Sequence, residues 1–271
     1  MSFLTHFMDI VSNPALFYYK SMSERDNFIN HINDLADRCY QKNIYTYSDF
    51  LGMDEISEFY RVSKEFSFVH YELWGGYENS ERKILRFGSA ETLGYDENWP
   101  LTLLEAAPLI DKFADELGHR DFLGALMNLG IERSVLGDII VESPRAYFFV
   151  QDSMADYIIE NLTRIKKTTV NIKKVDTLPA VAEKEPRPVS IQIPSERLDV
   201  IIDRVYKMSR DAAVSLFKEG KVFINGRLCE SNSKNLKPED VVTVRGYGKF
   251  CYKGTTSVSK KGKLNATVFV Y

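Results

Sequence analysis

The chain has 271 residues, of which 44% are apolar and 27% charged, with a formal net charge of −3. That length allows two or three folded domains, and the composition excludes a disordered or fibrous chain. No run of about 18 apolar residues is present, and the first ten residues lack the basic start and apolar core of a signal peptide, so neither a membrane partner nor export is expected.

Residues 1–65 read as helical. Ser23, followed by Glu24 and Asp26, has the form of a helix start. Phe28, Ile29, Ile32, Leu35, Ala36 and Cys39 then make one apolar stripe. A second helix is expected from Asp54 to Lys64, burying Ile56, Phe59 and Tyr60. Phe66 to Trp74 alternates as a strand, with Phe66, Phe68 and His70 on one face. Gly75-Gly76 breaks it, and Lys83 to Phe87 returns as a hairpin partner. Trp74 and Tyr77, beside those glycines, are either a base-stacking surface or ordinary packing.

Residues 97–178 carry a second pattern. Leu101–Ala107, Leu136–Val141, Ala146–Val150 and Thr168–Val175 read as strands. His119–Leu129 and a helix capped by Ser153 and running through Asn161 lie between them. The order β-α-β-β-α-β is the ferredoxin-like arrangement of many RNA-recognition modules. Tyr147, Phe148 and Phe149 lie on the third strand, where at most alternate rings face the sheet surface. His119, Arg120 and Asp121 tempt one toward catalysis, but their place at a helix start explains them.

Residues 179–194, with Pro179, Pro186, Pro188 and Pro194 around Glu183, Lys184 and Glu185, read as an extended, charged linker. It is expected to let the C-terminal module move. Residues 195–271 form that module. Leu198, Ile201, Ile202 and Val205 fall at helical spacing. Ser209 caps a second helix that buries Ala213, Leu216 and Phe217, and Gly220 ends it. Val222 and Ile224 alternate with Phe223 in a strand, Asn225-Gly226 is a tight-turn signal, and Val241–Arg245 is a further strand. Residues 253–263 read as a basic hairpin loop or arm, and Leu264–Tyr271 as a closing strand.

Charge is unevenly shared. Residues 183–271 hold 17 Lys and Arg against 10 Asp and Glu, a net of +7, so the preceding 182 carry −10. A basic module on an acidic body points to an anionic partner at one end. Arg197 and Arg204 share one helix face, Lys207 and Arg210 flank the turn between the helices, and Lys218 and Lys221 bracket the second helix's end. Such a rim of cations suits a phosphate backbone. Arg245 and Lys249, with the flexible Gly246-Tyr247-Gly248 between them, extend the set.

Several ordered pieces now carry a resemblance. R-L-D at Arg197–Asp199, S-R-x-x-A at Ser209–Ala213, G-x-V-x-I-N-G at Gly220–Gly226 and the later E-D-V-V-T-V resemble the RNA-binding domain named after ribosomal protein S-four. The resemblance implies structured-RNA binding by the two-helix face, with Arg197 and Arg210 foremost. Arg204, Lys207, Ser209, Lys218, Lys221, Arg245 and Lys249 join them, and Asp199 and Asp203 are expected to fix those arginines or cap locally rather than touch RNA. The segment G-H-R-D-F-L-G-A-L-M-N-L-G-I-E-R-S-V-L-G-D-I, Gly118–Ile139, joined to such a module, resembles the bacterial YlmH family. That family implies a cytoplasmic RNA-binding protein of translation quality control, associated with large ribosomal subunits and linked to cell division.

Catalytic classes fare worse. Lys207-Met208-Ser209-Arg210 mimics a synthetase signature but lies inside the two-helix unit. Phosphate-loop and nucleophile-elbow motifs are absent. The four histidines show no metal spacing, and Cys39, Cys229 and Cys251 fit a reducing cytoplasm. The expectation is therefore an α+β, non-enzymatic RNA binder with no cofactor, metal or small-molecule substrate. An RNA-modifying enzyme and a protein–protein adaptor are the alternatives.

Overall fold

The computed structural model describes residues 14–179, 186–260 and 262–271. The helical reading of residues 1–13, the charged centre of the expected linker at 180–185 and Lys261 lie outside them. Over the described residues the fold is α+β, with three antiparallel sheets.

The N-terminal part begins with α1 (Pro14–Lys42), whose Ile32, Leu35, Ala36 and Cys39 are buried as the apolar stripe requires. Ser23 lies inside this helix and caps nothing. Next comes β1 (Thr46–Leu51), a strand within the region expected to be wholly helical. Glu55 accepts a hydrogen bond from the Gly52 N–H (2.7 Å) at the start of α2 (Met53–Val62). A 3-10 turn over Ser63–Phe66 follows, and only Tyr71–Trp74 is strand β2. The expected strand from Phe66 fails because Phe66 turns into the core while Phe68 stays 46% exposed. The central strand is β3 (Lys83–Phe87), which pairs with both β1 and β2. A short α3 (Ala90–Leu93) leads out.

The middle part contains β4 (Leu101–Pro108), α4 (His119–Met127), β5 (Leu136–Glu142), β6 (Arg145–Gln151), α5 (Asp152–Asn161), β7 (Arg164–Ile165) and β8 (Thr168–Lys174). The strand order is β5-β6-β4-β8-β7, all antiparallel. Helix α5 starts at Asp152 with Gln151 before it, so Ser153 is not the cap. Phe122 and Leu126 of α4 and Ala155 and Ile158 of α5 pack on Leu104, Ala106, Phe148 and Val150. Both helices therefore cover one face of the sheet. Truncating a buried ring such as Phe122 to Ala costs about 3–5 kcal/mol.

The other face of that sheet is not open. Leu103, Tyr147 and Phe149 pack against Phe50 and Ile84 of the first sheet, with Trp99 at the edge of the cluster. Tyr147 is 8% exposed and Phe149 3%. The alternation of strand β6 is as expected, but the rings it turns away from α4 and α5 meet protein from the same chain.

The C-terminal part is built from β9 (Arg187–Ile193), α6 (Leu198–Tyr206), α7 (Arg210–Lys218), β10 (Val222–Ile224), β11 (Arg227–Leu228), β12 (Val241–Val244), β13 (Gly248–Val258) and β14 (Leu264–Val270). Its sheet runs β11-β10-β12-β13-β14-β9. Much of the expected linker is thus a strand. Pro188 is tolerated because β9 is an edge strand, paired only with β14. The basic loop shrinks too, since β13 continues to Val258 before the turn. Leu198, Ile201, Ala213, Leu216 and Phe217 bury against Val222, Ile224, Val242 and Phe250. Phe223 is also buried, but on the opposite side of β10 from Val222 and Ile224.

Candidate functional site

The two-helix unit is set by its connections. The first N–H groups of α6 are met by main-chain carbonyls, Leu198 N–H by Lys234 (2.9 Å) and Asp199 N–H by Asn232 (3.0 Å). Lys207 ends α6 in the left-handed region, with φ +52°. Ser209 then caps α7, its hydroxyl oxygen accepting from the Ala212 N–H at 3.2 Å. That cap sets where Arg210, the first residue of α7, emerges.

Between the helices lies a buried carboxylate. Asp199 is fully buried. It accepts two hydrogen bonds from Arg197, Nε to Oδ1 at 3.0 Å and Nη2 to Oδ2 at 2.8 Å. It also accepts the Val200 N–H, and Arg210 Nε lies 3.8 Å from Oδ2. The hydrogen bonds to Asp199 raise the Arg197 pKa, so the guanidinium stays charged. Arg197 keeps 37% of its side chain in solvent and Arg210 63%. One carboxylate thus draws together cations from two helices, as the sequence led one to expect of Asp199. Arg204, Lys207 and Lys218 are exposed. Lys221 is tied to Glu219 at 2.6 Å.

Arg245 and Lys249 go elsewhere. Arg245 pairs with Asp54 of α2 at 2.8 Å and lies over the Phe223 ring. Lys249 donates to the Asn79 carbonyl at 2.7 Å, and burial lowers its pKa. They belong to a seam between the C-terminal part and the N-terminal part, along with Arg227 Nη1 donating to the Tyr60 carbonyl (2.8 Å) and Leu228 N–H donating to Ser57 Oγ (2.8 Å). Asn225 and Gly226 make the expected turn, both at positive φ, directly over Tyr60. The C-terminal part is docked rather than swinging free. Nothing in one sequence marks which surface cations will face another domain.

A second charged junction joins the first two sheets. Arg82 donates to the carbonyls of Phe50 (2.6 Å), Arg133 (3.1 Å) and Leu136 (2.7 Å). Asp138 accepts from Tyr77 Oη and from the N–H groups of Glu81 and Arg82. Burial lowers the Arg133 pKa to about 10, and burial with Asp138 nearby raises that of Glu81. These groups and His119 line a cleft of about 570 Å³ that contains no Ser, Thr or Cys. Asp121 accepts from the Gly118 N–H at 2.8 Å and pairs with Lys166, as a helix-start residue should. Burial raises the thiol pKa of Cys39, Cys229 and Cys251, which suits packing rather than attack. Among the described residues no group of three or more His, Cys, Asp or Glu is placed to hold a metal, and no helix is long and apolar enough to cross a membrane.

Comparison with known proteins adds three findings. Residues 96–178 match the family described as "Putative RNA-binding domain in YlmH". The chain is 29% identical over 197 residues to the ribosome-associated protein quality control protein P2 of Bacillus subtilis (strain 168), covering 71% of this chain and 75% of that protein. It is also similar to a solved structure, the cell division protein YlmH from Streptococcus pneumoniae, at 15% identity and a TM-score of 0.45, over 56% of this chain and 92% of that one. The part that matches the YlmH family model is thus the middle one, lying between the N-terminal α/β region and the C-terminal two-helix unit.

Proposed function

We propose that this chain is a cytoplasmic, non-enzymatic RNA-binding protein that docks on folded ribosomal or transfer RNA. Its place would be the large ribosomal subunit, in quality control of stalled translation, with a link to cell division. The observation that carries this reading is the Asp199 clamp, which holds Arg197 and Arg210 side by side at the solvent face of α6 and α7. A pair of part-exposed, pre-oriented guanidiniums suits successive phosphates, because each fork can be bidentate. The relative in Bacillus subtilis, by its name, works on ribosomes in quality control, which favours ribosomal RNA as the partner.

We read the C-terminal part as a domain of the S-four type, supported by its two capped helices packed on a sheet behind the R-L-D and N-G motifs. We read the middle part as ferredoxin-like, supported by the order β8-β4-β6-β5 and two helices on one face. Arg197, Arg204, Lys207, Arg210 and Lys218 form the proposed contact surface, with Ser209 shaping it. Lys221, Arg245 and Lys249 take a lesser part, since their charges already have partners within the chain.

Co-sedimentation with separated ribosomal subunits over a salt series tests the reading. Wild type is expected to follow one subunit with a steep salt dependence. Arg197→Ala/Arg210→Ala should lose affinity and shrink the slope by nearly two units. A double variant that binds as wild type does would overturn phosphate docking by this face.

A further inference from the structure

The middle domain's sheet surface is largely filled by the chain's own N-terminal part, yet the seam leaves a cleft of about 670 Å³. Its floor is Leu103, Phe149 and Val175, and its walls include Trp74 and Lys174. Phe149 cannot serve as a stacking platform. Tyr77 lies stacked on it, 5.7 Å between ring centres, and a Cβ at Gly76 would fall 2.1 Å from its ring. Trp74 differs. It is half-buried at the end of β2, and among the described residues its ring meets no other aromatic ring and its indole N–H has no hydrogen-bond acceptor. Glu78 and Asp176 add carboxylates to the rim.

The cleft opens beside the most basic stretch of the acidic body. Arg164, Lys166, Lys167, Lys173 and Lys174 are exposed on β7, β8 and the turn joining them, with no acidic residue between Glu160 and Asp176. Three of them pair locally, Lys166 with Asp121, Lys173 with Glu105 and Lys174 with Asp156, each at 2.7 Å. Arg164 and Lys167 have no acidic partner among the described residues. Lys166 sits at the hairpin tip with φ +51°, a strained setting that glycine or asparagine usually fills. Asp115 holds the tip still by accepting the Lys167 N–H at 3.0 Å.

We infer that the Trp74 cleft is a slot for one unpaired base of single-stranded RNA, with its backbone led away along β7 and β8. Stacking on Trp74 supplies attraction that any base can use. The indole N–H and the carboxylates of Glu78 and Asp176 meet a base edge that offers both an acceptor and an amino group, as adenine does. Arg164 and Lys167, the hairpin cations without an acidic partner, meet the phosphates. The slot is a second RNA contact, separate from the α6–α7 face, and it rests on the chain being an RNA binder at all.

Binding of a fluorescently labelled oligoadenylate to the full chain, followed by anisotropy, tests it. Trp74→Ala should weaken binding about tenfold or more, while Trp74→Phe keeps most of it because a ring remains. Lys167→Met, on an exposed position, should flatten the logarithmic salt dependence by about 0.7. Oligoadenylate binding that survives Arg197→Ala/Arg210→Ala and falls in Trp74→Ala separates this slot from the C-terminal face. Trp74→Ala with an affinity within twofold of wild type overturns the slot, whatever the C-terminal variant does. Should Trp74→Ala not fold, an unchanged salt dependence in Lys167→Met overturns it equally.

Discussion

Asp199 is an acid at the heart of a surface expected to bind an acid. Simple charge counting says that removing it should tighten RNA binding. The geometry says the reverse, because the carboxylate fixes two guanidiniums that would otherwise each lose rotamer freedom on binding. Asp199→Asn is therefore expected to weaken RNA affinity by about three- to tenfold, while Asp211→Asn, at an exposed position in the first turn of α7, leaves it equal or slightly stronger. Affinities of both variants at one fixed salt concentration decide between the two views. Arg197, Asp199 and Arg210 could be read from the sequence because short motifs at fixed spacing specify a local unit. Arg245 and Lys249 could not, because their partners Asp54 and Asn79 lie about 170 to 190 residues away in sequence.

Among the elements, helices with a clear apolar stripe were legible, and so were strands with clean turn signals. Strand β10 and the Asn225-Gly226 turn needed no tertiary information. Strand β9 was hidden because proline and charge usually mark a spacer, and only its pairing with β14 makes Arg187–Ile193 a strand. Strand β1 was hidden because Tyr45 to Leu51 lies between two strong helical patterns, and a bulge between Tyr47 and Phe50 breaks its alternation. The turn itself makes a prediction. Gly226 has φ +75°, and a Cβ there would approach Tyr60 to 3.1 Å. Gly226→Ala should cost about 1–3 kcal/mol, from backbone strain plus the displaced ring, read as a lower urea midpoint at unchanged slope.

For the whole molecule, the uneven charge drawn from the sequence also has an internal use. The basic C-terminal part lies against α2 of the acidic body, with Arg245 on Asp54 and Arg227 over the Tyr60 ring. The exposed Arg245–Asp54 pair contributes less than about 1 kcal/mol by itself. The Leu228 hydrogen bond holds the pose more firmly, because it ends on the buried Ser57 hydroxyl, and Arg227 adds an exposed one to the Tyr60 carbonyl. Ser57→Ala/Arg227→Ala should release the C-terminal part, seen as a larger radius of gyration in solution scattering. Unchanged scattering would show that the packing of the Gly226 turn on Tyr60 and Ile56 suffices.

The pairing of β9 with β14 has a consequence in time as well as in space. Arg187 lies opposite Val270, so the sheet that backs α6 and α7 is closed by the first and last strands of its own domain. During synthesis β9 leaves the ribosome first and finds no neighbour until residues up to Val270 have followed. Until then α6 lacks its finished support from β9, so the cationic face is completed only when β14 has closed the sheet.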